Sequence, residues 1–168
     1  MTVGTERAIS VEQELAWRRY YRMQTQLLGV LNKELAQETG LSEADYEVLI
    51  TLWQSPGRLL RAREIRLALV WEKSRLSHQL RRMELRGLVR RDDCPEDSRG
   101  AMVALTQAGA EAIHQAECAR LRAVHDHLIA VLSDDQLASL ATISETVLAH
   151  LGIACEAQGV ADAGEDGR

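Results

Sequence analysis

Residues 71–109 decide the fold, and they read WEKSRLSHQLRRMELRGLVRRDDCPEDSRGAMVALTQAG. A helical pattern covers about 72–86 and stops at a glycine. Two short β-type runs follow, at 88–92 and 101–105, and the loop between them is rich in turn residues. A shorter helix, at about 62–69, comes before the turn that leads into this stretch. Two helices joined by a short turn and followed by a hairpin predict a winged helix-turn-helix.

The longer of these helices has one apolar face and one basic face. At about 100° per residue, Leu76, Leu80 and Met83 fall on a single stripe. The opposite face and its flank carry hydroxyl, imidazole and guanidinium groups, on Ser74, Arg75, Ser77, His78, Arg81 and Arg82. Arginine can read guanine through two N–H groups, and serine and histidine can bond to bases or phosphates. We therefore expect this face to contact DNA, whereas a merely solvated face usually mixes in acids.

The charge distribution favours the same function. The chain carries a net charge of −5, but residues 58–99 contain 12 Lys and Arg against 7 Asp and Glu. The remaining residues contain 8 Lys and Arg against 18 Asp and Glu. A basic segment within an acidic chain is typical of a DNA-contacting module. In the hairpin loop, Arg99 can enter a minor groove, and Asp97 can hydrogen-bond the hairpin backbone or orient Arg99. A salt bridge on the loop surface is the alternative.

Composition supports a mainly α protein with a small β-hairpin wing. Apolar residues make up 46% of the 168 residues, with 24 Leu, 22 Ala and no Phe, so strong helix formers dominate. We expect a single domain over 11–154, between a flexible arm at 1–10 and a disordered acidic tail at 155–168. The chain has no apolar run of transmembrane length and only three scattered cysteines, so a cytoplasmic location without membrane contact is expected.

The stretch from Trp71 to Gly109 resembles the MarR family (multiple-antibiotic-resistance regulators). The segments that match are Ser74-Arg75-Leu76-Ser77, Met83-Glu84-Leu85-Arg86-Gly87-Leu88-Val89-Arg90-Arg91, Asp97-Ser98-Arg99-Gly100 and Leu105-Thr106-Gln107-Ala108-Gly109. The similarity covers about 10–154 and implies a homodimeric transcription regulator, more typically a repressor, on a pseudopalindromic operator in double-stranded DNA. It also implies a winged helix at about 42–105 and dimerisation helices at about 11–38 and 107–154.

The resemblance carries over to individual positions. Ser74, Arg75, Ser77, His78 and Arg82 align with recognition-helix contacts, Arg99 with the wing-tip arginine and Asp97 with its partner acid. Arg81 rests on the angular argument alone. The chain departs from the family in the shorter helix, where Ile65-Arg66 stands in place of the usual Leu-Ala. It departs again in the turn, where Val70-Trp71 lacks the frequent glycine. These departures affect the expected angle between the two helices.

The resemblance further implies release from DNA by a small aromatic or anionic effector. Candidate pocket residues combine aromatic walls with polar tips: Trp17, Tyr20, Tyr21, Gln24, Tyr46 and Trp53. Filling of the core or of an interface is the alternative explanation for these side chains.

Three other functions are also compatible with the sequence. A redox-responsive regulator would use Cys94 in the wing loop. A metal-responsive one would take ligands from His125, Asp126 and His127, together with His114, Cys118 and His150. A winged helix can also serve as a protein-interaction module without DNA. No catalytic motif is recognisable, so no enzymatic activity, cofactor or metal site is predicted.

Overall fold

The computed structural model describes residues 9–92 and 101–153. Asp97, Arg99 and Cys94 therefore lie outside the described residues. The helices are α1 (Val11–Thr39), α2 (Glu43–Trp53), α3 (Ala62–Ala68), α4 (Lys73–Leu85), α5 (Gln107–His127) and α6 (Asp134–His150). The strands are β1 (Leu59–Arg61), β2 (Val89–Asp92) and β3 (Met102–Leu105), and 3₁₀ turns lie at Pro56–Arg58 and Ile129–Val131.

Local capping chemistry explains where the helices begin. Ser10 opens α1 with a reciprocal capping box, in which its hydroxyl accepts from the Gln13 N–H and its own N–H donates to the Gln13 amide oxygen. Ser133 and Gln136 open α6 in the same way. Each box satisfies two of the N–H groups that a helix start leaves without partners. At both positions a serine followed three residues later by a glutamine predicts the helix start from the sequence, and the structure confirms it.

The wing is a three-stranded antiparallel sheet rather than a simple hairpin. Its order is β1-β3-β2, with Leu60 opposite Val103 and Arg91 also opposite Val103 on the other side. The sequence prediction contained β2 and β3 but not β1. The three residues of β1 are too few to show a strand periodicity, and their pairing with β3 spans about 40 residues of chain.

One hydrophobic core joins the sheet to the first five helices. Fully buried side chains from α2, α3, α4, β3 and α5 meet there, including Leu49, Ile65, Met83, Val103 and Ile113. The predicted inward stripe of α4 is confirmed, since Leu76, Leu80 and Met83 are all buried. This core fixes which face of α4 remains outside.

The described residues form two compact units, one ending at His127 and the other beginning at Leu128. The sequence pattern predicts a helix from Gln107 to about Leu132, whereas α5 ends at His127, and a 3₁₀ turn and α6 follow. Within the described ranges, no helix combines the length and the apolar character needed to cross a membrane.

The turn between α3 and α4 places a β-branched residue in a left-handed conformation. Helix α3 ends in a Schellman motif, in which the Trp71 N–H donates to the Arg66 carbonyl and the Val70 N–H to the Leu67 carbonyl. Val70 occupies the position that glycine usually fills, with φ of 54°, and its side chain is 90% exposed. Helix α4 ends in the same motif with Gly87 at the equivalent position, at φ of 69°.

Replacing Val70 by glycine is therefore expected to stabilise the protein by about 1 kcal/mol. Left-handed backbone costs an L-residue about 1–2 kcal/mol, and the greater unfolded-state freedom of glycine returns only part of this gain. The exposed side chain contributes little packing that would be lost. Urea unfolding of Val70→Gly measures the change, and Gly87→Val is the matched reverse substitution, expected to destabilise. An unchanged or lowered midpoint for Val70→Gly would contradict the strain assigned to this turn.

Candidate nucleic-acid interface

Helix α4 exposes the polar face that the sequence predicts. Every side chain proposed there for DNA contact is exposed, namely Ser74, Arg75, Ser77, His78, Arg81 and Arg82. Lys73, in the first turn, is exposed on the same helix and was not among the predicted contacts. Gln79, by contrast, is buried at 5% exposure. The helix therefore presents a continuous set of hydrogen-bond donors and positive charges to a partner outside the fold.

Two acids near this face, Glu84 and Asp92, are engaged by neighbouring groups. Glu84 is the one acid within α4, and its carboxylate accepts a hydrogen bond from the Arg91 backbone N–H at 3.2 Å. Asp92, at the end of β2, accepts a two-pronged contact from the Arg90 guanidinium, with both closest distances at 3.0 Å. Both carboxylates are therefore held within the wing. Within α4 the four basic side chains outnumber the one acid, so a negatively charged partner would meet a net positive charge.

A buried carboxylate fixes α4 against α2. Asp45, only 1% exposed, accepts hydrogen bonds from Gln79 Nε2 and from Arg86 Nη1, each at 2.7 Å. The N–H and hydroxyl of Ser42 also donate to Asp45, at 2.9 and 2.7 Å. Arg86 further donates to the Gly40 carbonyl at 3.1 Å, which closes the network onto the end of α1. The network thus holds both the middle and the end of α4.

The electrostatics of Asp45 follow from these contacts. Burial acts to raise the pKa of this carboxyl, but the two Ser42 hydrogen bonds and the Arg86 guanidinium together hold its pKa below the ordinary value. Asp45 is therefore ionised at neutral pH, which allows it to accept from all of these donors at once. No short-range pattern in the sequence pointed to this network, because its members are 34 and 41 residues apart.

The wing joins α5 through a close backbone contact. The Thr106 hydroxyl donates to the backbone carbonyls of Gly87 and Leu88, and it accepts from the Gly109 N–H at 3.0 Å. It therefore caps α5 and ties that helix to the segment between α4 and β2. A side chain at Gly109 would place its Cβ 2.0 Å from the Leu88 carbonyl oxygen. This contact is the physical reason for the Leu-Thr-x-x-Gly pattern at 105–109.

The proposed effector residues do not form one cluster of ring contacts. Trp17 lies near Tyr20 and Tyr21, with ring centroids 5.9 and 6.0 Å apart, and all three side chains are exposed on the first half of α1. Trp53 instead lies beneath the Arg58 guanidinium, at 3.8 Å. Gln24 is exposed as well. The predicted pocket of Trp17, Tyr20, Tyr21, Gln24, Tyr46 and Trp53 stays a prediction.

Tyr46 belongs to a separate polar cluster between helices. Its hydroxyl donates to the Glu117 carboxylate, and the Arg120 guanidinium lies 5.5 Å from its ring centroid. Arg120 also donates to the Asn32 side-chain oxygen at 2.9 Å. Burial raises the pKa of Tyr46 above its ordinary value, and the Glu117 carboxylate raises it further. This cluster links α2 to both α1 and α5.

The described residues give no geometric support to the metal alternative, and the redox alternative stays a prediction. Among the residues that the structure describes, no group of three or more His, Cys, Asp or Glu side chains is placed to hold a metal ion. Cys118 is an exposed free thiol on α5, and Cys94 lies outside the described residues. His125 pairs with Asp126 and His127 with Glu34, at 2.9 and 2.7 Å.

Comparison with known proteins gives a consistent result. A sequence model described as the MarR family matches residues 41–100. The structure of AbsC, a MarR family transcriptional regulator from Streptomyces coelicolor, is 33% identical, with a TM-score of 0.77 over 88% of this chain and 99% of that one. The structure of Sco3205, a MarR family transcriptional regulator from the same organism in complex with DNA, is 34% identical. Its TM-score is 0.77, and the match covers 92% of this chain and 96% of that one.

More distant structures share the fold. A mutant MarR from E. coli, complexed with operator DNA, is 24% identical and has a TM-score of 0.69. The match covers 83% of this chain and 99% of that chain. No curated protein sequence matches this chain.

Proposed function

The chain belongs to the MarR family of transcriptional regulators, and we propose that it is a sequence-specific repressor that binds a pseudopalindromic operator as a homodimer. The observation that carries the proposal is the exposed basic face of α4, a helix whose one acid, Glu84, accepts a hydrogen bond from the Arg91 backbone N–H. A helix with this face fits the major groove of B-DNA. The DNA complex of the 34%-identical relative supports it.

The residues on this face take different roles in the proposal. Arg75 in the first turn is placed to read a guanine edge, because the N-terminal residues of a recognition helix reach the bases. Arg81 and Arg82, further along the helix, neutralise phosphates, and Ser74, Ser77 and His78 donate to bases or phosphates. In the wing, Arg99 enters the minor groove with Asp97 as its orienting partner. Lys73 joins the phosphate contacts.

Substitution of Arg75 should separate base reading from phosphate binding. Arg75→Ala is expected to cost about 1–3 kcal/mol in operator affinity and to relax sequence preference, because a bidentate base contact is lost. Arg82→Ala should weaken binding to all sequences alike and reduce the salt slope by about one. Fluorescence anisotropy with a duplex that the wild-type protein selects from a random pool measures both.

The control for these variants is Lys33→Ala. Lys33 is an exposed cation on α1, away from α4, so its loss should leave affinity and salt slope nearly unchanged. Selective binding that survives Arg75→Ala at full strength would contradict the role of this arginine. Loss of affinity equal for Lys33→Ala and Arg82→Ala would show that net charge alone drives the binding.

The homodimer is supported by apolar side chains that a single chain leaves open. Ile143 and Val147 on α6 and Leu151, its C-cap residue, are spaced four residues apart, and they are 60%, 51% and 62% exposed. On α1, Val11 and Trp17 are 76% and 58% exposed. Exposed apolar stripes of this kind mark association surfaces. A second copy satisfies the two-fold symmetry that a pseudopalindromic site requires.

Charging the α6 stripe should break the dimer. The double variant Ile143→Lys, Val147→Lys is expected to sediment as a monomer and to lose at least about tenfold in operator affinity, because two half-sites are no longer bound together. Glu145→Lys, which adds positive charge on another face of the same helix, should remain dimeric. Sedimentation velocity at several concentrations gives the result. A wild-type protein that is monomeric at all of them would contradict the proposal.

We place effector control at the polar cluster of Tyr46, Glu117, Arg120 and Asn32. The cluster joins α2 of the winged helix to α1 and α5, so a ligand that altered it would act on both regions. Arg120 is the cation that a small aromatic acid would require. Such a ligand must bind the DNA-free and DNA-bound states with different affinities. Titration of the protein–DNA complex with benzoate, followed by anisotropy, tests for release.

A further inference from the structure

Trp71 is not among the proposed DNA-contacting residues, but it contacts Arg75, which is one of them. Trp71 lies directly before Glu72, the N-cap residue of α4. The Trp71 side chain is only 6% exposed and belongs to the hydrophobic core. The guanidinium carbon of Arg75, one turn later, lies 4.0 Å from the centre of the indole ring. A core side chain thus forms the platform for an exposed arginine on the recognition face.

Stacking of this kind restricts the arginine without occupying its hydrogen-bond donors. The N–H groups of a guanidinium point outward within its plane, so an aromatic ring against one face leaves them free. In the part of the chain that the structure describes, no hydrogen bond or ion pair from Arg75 to an acceptor is found. The Arg75 charge also affects Glu47 on α2. Burial and the Glu43 carboxylate raise the pKa of Glu47, whereas the Arg75 guanidinium acts to lower it.

A preset guanidinium matters most for base reading. Bidentate recognition of guanine requires both N–H groups to face O6 and N7 together. A free arginine loses side-chain freedom when it adopts this geometry, whereas a stacked one has already lost part of it. The other arginines on the exposed face, Arg81 and Arg82, have no aromatic ring beneath them among the described residues. Phosphate contacts tolerate a wider range of geometries.

We propose that Trp71 is a positioning residue that presets Arg75 for base reading and so sets the sequence preference of the protein. Trp71 is neutral and buried, so it contributes nothing to the attraction of phosphates. This inference rests on the proposed function, because it requires α4 to bind DNA. It adds a specificity determinant in the core, just before the helix that touches the bases.

The test compares Trp71→Phe, Trp71→Leu, Arg75→Ala and the double variant Trp71→Leu, Arg75→Ala. Each full-length protein is titrated with the duplex selected by the wild type and with a scrambled duplex of the same composition. The readout is the ratio of the two Kd values. Trp71→Phe keeps a ring and should retain the ratio within about twofold, whereas Trp71→Leu should lower it about fivefold or more, a part of the discrimination of one bidentate contact. In the Arg75→Ala background, Trp71→Leu should change nothing further.

A second variant keeps the test decisive if Trp71→Leu does not fold. Arg75→Lys keeps the charge but not the planar stack, so it should retain the salt slope and lose selectivity. The proposal is overturned if Trp71→Leu leaves the ratio of Kd values unchanged, or if it lowers that ratio as much in the Arg75→Ala background as in the wild type. Full selectivity in Arg75→Lys would also overturn it. If the wild-type protein binds no duplex selectively, the proposed function fails and this inference fails with it. If the wild type is selective but the variants behave as described above, only the inference fails.

Discussion

Replacing Asp45 by alanine is expected to lower the free energy of unfolding by about 3 kcal/mol. The substitution leaves the buried Gln79 amide and the Ser42 N–H without their acceptor, and it removes the partner of the Arg86 guanidinium. Arg86 is 39% exposed, so water can solvate it, and the loss falls below that of a fully buried ion pair. Urea unfolding monitored by circular dichroism measures the change.

The ion pair of Arg90 and Asp92 provides the matched control. Its two side chains are 67% and 48% exposed, so Asp92→Ala should cost less than about 1 kcal/mol. The pH dependence gives a second check on Asp45. Because its folded-state pKa lies below the ordinary 3.8, its stabilisation is complete above that value and is lost as the pH falls through the folded-state pKa. The difference between wild type and Asp45→Ala should therefore be constant near pH 7 and narrow below about pH 4. Equal losses for Asp45→Ala and Asp92→Ala would refute the buried network.

Substitution of Gly109 by alanine is expected to destabilise the protein by about 1–3 kcal/mol. The added Cβ would lie 2.0 Å from the Leu88 carbonyl oxygen and 2.9 Å from a methyl carbon of Leu105. The first of these atoms is backbone, so α5 must move away from the segment between α4 and β2 to make room. That movement also strains the Thr106 hydrogen bonds that join the two elements. The gain in helix propensity from glycine to alanine, about 1 kcal/mol, is too small to compensate.

Gly29 is the internal control for this effect. It lies within α1, and nothing stands within 4 Å of the position that its Cβ would take. Gly29→Ala should therefore stabilise the protein by about 0.5–1 kcal/mol. Both substitutions replace a helical glycine by alanine. Opposite signs of the change in unfolding free energy would therefore isolate the close approach of α5 to Leu88. Thermal unfolding of the two variants and the wild type measures both changes, and stabilisation by Gly109→Ala would contradict that packing.

The exposed face of α4 could be predicted because it depends on local periodicity. Leu76, Leu80 and Met83 set the buried side, and the positions opposite follow from the helix geometry alone. The helix starts at Ser10 and Ser133 were predictable for the same reason, since each capping box spans only four residues. The family pattern at 105–109 marked a position whose physical cause, the contact between Gly109 and Leu88, only the structure reveals.

Features that depend on distant parts of the chain could not be predicted. The Asp45 network joins α2 to α4, and β1 pairs with β3 across the whole helix-turn-helix. The stack of Arg75 on Trp71 is local, but its sequence signal is only two residues four apart, which any helix start could contain. Aromatic content suggested a single pocket, whereas ring contacts depend on which helix faces meet. Tyr46 and Trp53 accordingly contact residues other than Trp17.

Direct titration of the wild-type protein with DNA tests whether α4 presents a base-reading surface. Anisotropy is followed for the selected duplex and its scrambled counterpart at several salt concentrations. We expect two protomers per duplex, at least about 10³-fold preference for the selected sequence, and an affinity that falls linearly with salt on logarithmic axes. Equal affinity for both duplexes at every salt concentration, or an affinity independent of salt, would contradict the account.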